Sequence, residues 1–291
     1  MFEMQSKTDI GSLVRLYGLQ KIPITSVENA RELGGYTVQD NMVVKRGLLL
    51  RTASLSGISD VDADILREKY HVTLMIDLRS ARETERHPSP RIDGIRYVNI
   101  PIIEQEAIEK KMIASCGRIE QPSDEFDPIA QILWAEKMVR SGFYENLYCY
   151  YIDNAFSQEG LSQVFHEIAS TDGGSALWFC QEGKDRTGIV AALILSILGA
   201  DYDTILADYE LSNLFYRPLI SQFERVIRIM NYPSDIENMV VATFAGVHCT
   251  FLERLWQYIE CNWGSPMNFI CGPLAVSQND IAQIKKKYLM E

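Results

Sequence analysis

The sequence predicts an α/β fold in which helices cover both faces of a mostly parallel β-sheet. Short apolar segments alternate with helical segments along much of the chain, and this alternation is typical of parallel sheets. Residues 72–76 read Val-Thr-Leu-Met-Ile, a nearly continuous apolar run of the kind found in strands buried on both faces. In such sheets, ligands bind where the strands end at their carboxyl side.

The first half of the chain alternates strands with one clear helix. Strands are predicted at residues 43–44, 48–51, 71–77 and 95–100. A helix begins after Ser59 or Asp60, either of which can cap it, and ends near Tyr70. Residues 1–24 are expected to form a leader segment packed on the surface. Residues 101–127 are polar, and we expect them to form an irregular insertion at the rim of the domain.

The second half is richer in helix. Helices are predicted at residues 129–138, 144–156, 161–169 and 187–198, with a strand at 176–179 between the last two. Gly199 is expected to end the helix that begins at 187. Residues 213–247 combine helix and loop with many apolar side chains. Ser277 is expected to cap the final helix, with Asp280 three residues later.

Residues 180–188, Cys-Gln-Glu-Gly-Lys-Asp-Arg-Thr-Gly, lie between that strand and the helix at 187–198. The loop therefore opens a helix, whose free N–H groups and dipole attract anions. The same field stabilises a thiolate at Cys180. Arg186 offers a planar fork that can hold two phosphate oxygens. The spacing Cys-x5-Arg thus predicts an anion site with a reactive thiol.

Composition narrows the function classes. The 291 residues are 47% apolar, which is ordinary for a globular protein. The net charge of −11 argues against nucleic acid or an anionic membrane as a bulk partner. The six cysteines show no metal-binding spacing, so neither metal nor cofactor is expected. The N-terminus lacks an apolar signal core and the longest uncharged run is too short to span a bilayer. We expect a cytoplasmic protein without stable membrane insertion, and leave open export without a signal peptide.

The loop resembles that of cysteine-dependent phosphatases, whose signature is His-Cys-x5-Arg-[Ser/Thr]. Its Gly-Lys-Asp-Arg-Thr-Gly form is similar to the atypical bacterial tyrosine phosphatases, some of which also accept phosphoserine, phosphothreonine and phosphoinositides. Further stretches agree with that family in the same order. They are Asn-Ala-Arg-Glu-Leu-Gly-Gly-Tyr at 29–36, Gly-Leu-Leu-Leu-Arg-Thr at 47–52, Asp-Leu-Arg at 77–79 and Ala-Asp-Tyr at 207–209. The resemblance runs from about residue 25 to the C-terminus.

The resemblance implies a cysteine-phosphatase fold and a set of catalytic roles. Cys180 would attack phosphorus and form a phosphocysteine, while Arg186 would clamp the equatorial oxygens. Thr187 would donate a hydrogen bond to the departing thiolate. Asp185 is the first choice for the general acid, with bracing of the loop as its structural alternative. Asp77 is the second choice, and for it a structural role at the strand end is equally supported.

Other positions are expected to support binding. Substrate contacts are assigned to Gln181, Glu182, Gly183, Lys184, Gly188 and Arg79, with Asn29 and Arg31 bracing the edge of the site. Lys184 is expected at the mouth of the site, in contact with substrate phosphate or with a nearby acidic group. One position departs from the family, because Phe179 stands where histidine is usual. In the family that histidine helps to orient the loop and to stabilise the thiolate, so the departure bears on the reactivity of Cys180.

The sequence is thus interpreted as one domain, residues 1–291, that hydrolyses phosphate monoesters. Phosphotyrosine in proteins is the favoured substrate, with dual specificity for phosphoserine and phosphothreonine as an extension; the partner is a phosphorylated protein or a small phosphate ester. The alternatives are a phosphoinositide phosphatase and a catalytically weak module that binds phosphorylated ligands. A rhodanese-type sulfurtransferase also places cysteine on such a loop. Residues 213–247 are either a helical lid, as in the family, or an ordinary helical subdomain.

Overall fold

The computed structural model describes residues 9–118, 127–232 and 234–291. The strands are β1 (Arg31–Glu32), β2 (Val43–Val44), β3 (Leu49–Thr52), β4 (Val72–Asp77), β5 (Arg96–Asn99), β6 (Ser175–Phe179) and β7 (Leu289–Met290). The main sheet has the strand order β1-β3-β6-β4-β5. Strand β6 pairs in parallel with β3 and β4, β4 pairs in parallel with β5, and only the edge strand β1 is antiparallel. The mostly parallel sheet is therefore confirmed.

Helices make up most of the remaining chain, and β2 pairs with β7 in a separate two-stranded ribbon. In the first half they are α1 (Ile10–Gln20), α2 (Asp60–Asp64), α3 (Ala81–Arg86), α4 (Gln105–Cys116), α5 (Pro128–Arg140) and α6 (Phe143–Tyr150). In the second half they are α7 (Ala155–Ser170), α8 (Asp185–Leu198), α9 (Tyr202–Glu210), α10 (Ser212–Phe215), α11 (Arg217–Met230), α12 (Ser234–Phe244), α13 (Cys249–Trp263), α14 (Pro266–Cys271) and α15 (Gln278–Tyr288). A 3₁₀ turn (Gln39–Asn41) and a π-helical turn (Ile65–Lys69) complete the assignment.

The central strand β6 divides the core because its side chains alternate between the two sheet faces. Trp178 belongs to the larger cluster, which includes much of α8, and Cys180 follows it on the same side. Leu177 and Phe179 belong to a smaller cluster on the other side. Every residue of β6 is buried. Cys180 therefore emerges at the end of a fully buried strand in the centre of the sheet.

Two helical boundaries differ from those predicted. Residues 101–127 are not irregular throughout, because α4 spans 105–116; its sequence is rich in Glu, Ala, Lys and Met, which favour helix. Residues 119–126 of that insertion lie outside the described residues. The predicted helix 144–156 is two helices, since α6 ends at Tyr150 and Asn154 caps α7 by accepting a hydrogen bond from the amide of Ser157 at 2.9 Å.

Several end signals are confirmed. Gly199 ends α8 in the left-handed region, at φ 88°. Ser59 caps α2, and the Ser277 hydroxyl accepts from the Asp280 amide at the start of α15. Of the predicted leader, residues 1–8 lie outside the described part, while α1 packs Leu13 in a small apolar cluster with the end of α9.

The segment 213–247 contains most of α10, then α11 and α12; residue 233 lies outside the described residues. Its apolar side chains pack with those of α5 in a cluster separate from the main core. Whether this unit moves as a lid stays a prediction, as does the single domain spanning 1–291. In the described part of the chain, no helix is both long enough and apolar enough to cross a membrane.

Candidate active site

The site lies at the carboxyl edge of the parallel strands. Thr52 of β3 and Asp77 of β4 flank Phe179 of β6 in register. The next residue, Cys180, is 2% exposed. After the loop, α8 begins at Asp185 and runs through an almost entirely buried apolar sequence. A buried strand thus delivers the thiol, and a buried helix fixes the amide groups that face it.

The loop is held from outside through its carbonyl groups. The carbonyl of Gly183 accepts hydrogen bonds from Asn29 Nδ2 at 2.9 Å and from Arg51 Nη2 at 3.0 Å. Gly183 itself has φ 63°, and a Cβ there would lie 2.3 Å from the carbonyl oxygen of Thr52. Only glycine fits this close approach. The expected bracing role of Asn29 is thus matched by a direct contact with the loop.

The preceding carbonyls are held in the same way. Tyr216 Oη donates to the carbonyl of Glu182 at 2.6 Å, and the amide of Ser54 donates to the carbonyl of Gln181 at 3.0 Å. Carbonyls that point outward leave the amides of the same loop to point inward, as in anion-binding nests. The loop is therefore shaped to receive an anion beside Cys180.

A buried carboxylate anchors these braces. Asp208 on α9 accepts from Arg51 Nη1 at 2.5 Å and from Arg31 Nε at 3.3 Å. Both arginines are 0% exposed, and buried arginine requires such a partner. Burial and the neighbouring charge of Arg31 lower the pKa of Arg51 from 12.5 to about 10, which leaves it charged at neutral pH. Arg31 also donates to Asn29, linking the whole edge.

Arg186 is aligned by Glu83, the third residue of α3. Its two terminal nitrogens donate to the two carboxylate oxygens at 2.7 and 2.6 Å. Burial disfavours the charge of Glu83, but the hydrogen bonds and charge of Arg186 lower its pKa from 4.5 to about 2. Glu83 also completes the capping box of α3 with Ser80. Glu83, which belongs to the capping box of α3, therefore fixes the direction of the Arg186 guanidinium.

Asp185 begins α8 and receives a hydrogen bond of 2.6 Å from Tyr148 Oη. The hydroxyl of Tyr209 lies 2.8 Å from that of Tyr148. A Cβ at Gly188, one turn further along α8, would lie 3.4 Å from the Tyr209 ring, which is an ordinary van der Waals distance, so packing alone does not require glycine there. Gly188 is buried against Tyr209, and its expected contact with substrate stays a prediction.

Thr187 is buried, and its hydroxyl oxygen has no hydrogen-bond partner in the structure. Its carbonyl accepts from Trp178 Nε1 at 3.1 Å. A buried hydroxyl without a partner is costly. The free hydroxyl is available for the role expected of it, which is to donate to a thiolate.

Asp77 and Arg79 meet, as their strand-end positions predict, but they engage each other. Arg79 Nη2 donates to Asp77 Oδ2 at 2.7 Å, and Tyr97 Oη donates to the same oxygen at 2.8 Å. Both Asp77 and Arg79 are 0% exposed. This placement favours the structural alternative for Asp77. The guanidinium of Arg79 also lies 5.5 Å from the ring of Phe179.

Lys184 does not stand at the mouth of the site, but it does contact a nearby acidic group, which was one of the two contacts expected of it. Its amino group is buried, pairs with Glu182 at 2.8 Å and donates to the carbonyl of Thr243 at 3.2 Å. Burial acts to lower the pKa of Lys184, but the charges of Glu182 and Asp185 raise it overall. The lysine thus ties the loop to the end of α12 instead of standing at the mouth.

A cavity of about 250 Å³ opens beside Arg186. Its polar lining comes from Ser80, α3 and α4, and its apolar or aromatic lining comes from α4 and the loop before it, from α5, and from α6 and the turn after it. The aromatic walls include Trp134, Phe143, Tyr144 and Tyr151. The cavity is therefore suited to an apolar group attached to an anion held by Arg186.

Sequence reasoning missed the partners of the loop. Arg51 and Asp208 were noted only as parts of matching motifs, and Glu83, Tyr148 and Tyr209 received no site role. A usable signal existed for the first two, because charged residues inside apolar segments are buried only when paired. Among the described residues, no group of three or more His, Cys, Asp or Glu side chains is placed to hold a metal ion.

Comparison with known proteins gives a consistent picture. The sequence model described as the tyrosine phosphatase family matches residues 22–290. A protein of Cupriavidus necator with a provisional tyrosine-protein phosphatase name is 25% identical over 94% of this chain and 89% of its own. The triple specificity protein phosphatase PtpB of Mycobacterium tuberculosis is 27% identical over 76% of this chain and 84% of its own. A tyrosine-protein phosphatase of Nostoc commune is 31% identical over 56% of this chain and 47% of its own.

Proposed function

The chain belongs to the tyrosine phosphatase family, and from this membership and the site geometry we propose that it hydrolyses phosphate monoesters through a phosphocysteine intermediate. It is a protein-tyrosine phosphatase. The observation that carries the mechanism is the position of Cys180 at the start of a loop whose carbonyls are held from outside, within electrostatic reach of Arg186, which Glu83 holds through two hydrogen bonds.

In the first step, the thiolate of Cys180 attacks phosphorus in line with the ester oxygen. The S–P bond forms as the P–O bond breaks, and the electron pair stays on the leaving oxygen. Asp185 gives that oxygen a proton. Arg186 and the loop amides hold the equatorial oxygens, on which charge builds in the transition state. A fixed guanidinium is effective because it needs no reorganisation.

In the second step, water attacks the phosphocysteine. Asp185, now ionised, takes a proton from that water, the new P–O bond forms and the S–P bond breaks. The electron pair returns to the sulfur of Cys180, where the unpartnered hydroxyl of Thr187 can donate a hydrogen bond. The thiolate is thereby a better leaving group, and the site returns to its starting state with phosphate as the product.

The cavity beside Arg186 supports phosphotyrosine as the principal substrate. In another protein an apolar cavity of about 150 Å³ accepts benzene, so about 250 Å³ has room for a phenol ring and more. Its aromatic walls offer little to the hydroxyl groups of an inositol ring. Glu182, half exposed and paired with Lys184, would repel further phosphate groups. Phosphoserine and phosphothreonine, with shorter esters, would fill the cavity less and react more slowly.

The mechanism is tested with p-nitrophenyl phosphate and a phosphotyrosine peptide in EDTA. We expect activity that Cys180→Ser abolishes, and a phosphate adduct on Cys180 that Asp185→Asn allows to accumulate, as detected by mass spectrometry. Full activity in Cys180→Ser would contradict the thiol mechanism. Thiosulfate turnover in place of ester hydrolysis would indicate the sulfurtransferase. Tight binding of phosphopeptide without turnover would indicate the binding module.

Substrate range is tested by comparing kcat/KM for one peptide carrying phosphotyrosine, phosphoserine or phosphothreonine, together with a phosphoinositide in mixed micelles. We expect the order phosphotyrosine above the other two peptides, with the phosphoinositide lowest. A phosphoinositide value above that of the phosphotyrosine peptide would overturn the order. Glu182→Ala is then informative, because it should raise the phosphoinositide value relative to the peptide.

A further inference from the structure

Two buried tyrosine hydroxyls form a hydrogen-bonded chain that ends on Asp185. Tyr148 Oη, on α6, donates to Asp185 Oδ1 at 2.6 Å, and Tyr209 Oη, on α9, lies 2.8 Å from Tyr148 Oη. Both tyrosines are 1% exposed. A phenol carries a single proton, so when Tyr148 gives its proton to Asp185, Tyr209 is the donor to Tyr148. The two rings pack edge to face with their centroids 6.1 Å apart. This packing fixes the positions of both hydroxyls.

This chain bears directly on proton transfer. We infer that Tyr148, supported by Tyr209, is a positioning residue for Asp185: it occupies Oδ1, so that the transferred proton is carried by Oδ2. The inference rests on the proposed role of Asp185 as the general acid. In the first step the Oδ2–H bond breaks as the leaving oxygen gains the proton. In the second step Oδ2 receives a proton from water, and the tyrosines keep theirs throughout.

The tyrosines are suited to this because they stay protonated. Burial first, and then the charge of Asp185, raises the pKa of Tyr148 well above 10. The same two causes raise the pKa of Tyr209. The titratable or charged groups that interact with Asp185 or with this pair come from α6 and the turn after it, the loop, α9 and α13; they are Tyr144, Tyr151, Lys184, Glu210 and Cys249. None of them takes the place of Tyr148 at Oδ1.

A hydrogen bond to an ionised carboxylate stabilises its charged form. Removing the Tyr148 hydroxyl therefore favours the protonated acid. For Tyr148→Phe we expect the basic limb of the kcat–pH profile to move to higher pH. Tyr209→Phe should move it in the same direction by less, because it acts through Tyr148.

Tyr148→Phe should also hold Asp185 less well in the position from which it transfers its proton. Phenyl phosphate, whose leaving group needs the proton, should lose about tenfold in kcat, since general acid catalysis contributes about 10²–10⁴ in all. p-Nitrophenyl phosphate, with a better leaving group, should lose much less. A purely structural defect would instead lower both rates alike and leave the pH limb in place.

Tyr150→Phe is the matched control. Tyr150 ends the same helix, and its ring lies 4.3 Å from the amino group of Lys111. Its variant should leave the limb and the ratio of the two substrates unchanged. Asp185→Asn distinguishes the acid role of Asp185 from the positioning role of Tyr148, because it should remove the basic limb of the kcat–pH profile.

The outcomes are distinct. Suppose that Asp185→Asn removes the basic limb of the kcat–pH profile, but that neither Tyr148→Phe nor Tyr209→Phe moves it. This result overturns the positioning role of Tyr148 and leaves the proposed mechanism intact. A limb that survives Asp185→Asn refutes the acid role of Asp185, and the positioning role with it. If thermal unfolding shows that Tyr148→Phe does not fold, Tyr209→Phe is the test. A shift of its kcat–pH basic limb to higher pH supports the positioning role, and an unmoved limb overturns it.

Discussion

Replacing Glu83 by glutamine tests whether the direction of Arg186 is set from α3. Glutamine is nearly isosteric, keeps one acceptor oxygen for the guanidinium and removes the negative charge. The pKa of Glu83 falls from 4.5 to about 2, chiefly through Arg186 against the cost of burial. That difference corresponds to about 3 kcal/mol of favourable interaction at neutral pH.

Part of this interaction survives in the variant. The Glu83 side chain is 27% exposed, so water screens some of the charge, and the remaining amide oxygen still accepts one hydrogen bond. We expect Glu83→Gln to lower the free energy of unfolding by about 2 kcal/mol at pH 7. For a chain of this size the thermal midpoint should fall by about 5 °C.

The pH dependence gives a second check. Because the pKa of Glu83 is lower in the folded state, its contribution is fully present above about pH 4.5 and is lost as the pH falls toward 2. The difference between the wild-type protein and Glu83→Gln should therefore shrink over that range. Urea unfolding at a series of pH values measures it.

The catalytic effect should be larger than the effect on stability suggests. A guanidinium held by one hydrogen bond in place of two is less well aligned, and we expect kcat/KM for the phosphotyrosine peptide to fall by about 10–100-fold. Glu68→Gln is the control, since Glu68 pairs with Arg67 on the surface and is 71% exposed; it should change neither quantity. Unchanged stability and unchanged kcat/KM in Glu83→Gln would refute the reasoning.

Three further substitutions probe the loop and its support. Gly183→Ala forces a Cβ into the Thr52 carbonyl, so activity should be lost and stability should fall by more than about 1 kcal/mol; Gly173→Ala, with a similar φ of 66° but open space around it, should cost less and leave activity intact. Asp208→Asn leaves two buried arginines short of a charge and should cost about 3–5 kcal/mol in urea unfolding, whereas a cost below 1 kcal/mol would contradict the anchoring role. Thr187→Val removes a buried hydroxyl without a partner, so stability should hold while kcat falls about tenfold in stopped-flow assays; equal losses in both would argue for a packing role.

The strand, loop and helix that carry the thiol could be predicted from the sequence because their signals are local. The apolar run 176–179 and the buried sequence of α8 each identify an element without reference to the rest of the chain. The same holds for the caps at Ser59 and Ser277. The break between α6 and α7 was missed although Asn154 supplies a local cap, because the apolar pattern runs through it.

The support of the site could not be predicted in the same way, because its partners are far apart in sequence. Glu83 and Arg186 are separated by 103 positions, and Arg51 and Asp208 by 157. Such pairs are selected by the geometry of the folded sheet edge and by the cost of burying a lone charge. Periodicity and spacing carry no information about either, and so Lys184 was expected at the mouth although the fold turns it toward α12.

The same distant support bears on Phe179, which stands where the resemblance to the family predicts histidine. The side chain of residue 179 points to the opposite sheet face from Cys180, where Phe179 packs in the smaller core cluster. Outward bonds from Asn29, Arg51 and Tyr216 orient the loop instead. Arg51 and Lys184 are buried and the Arg186 side chain is 12% exposed, and each interacts electrostatically with Cys180. Because these cations lie on the Cys180 side of the strand end and residue 179 does not, Phe179→His should change kcat/KM less than removing any one of them.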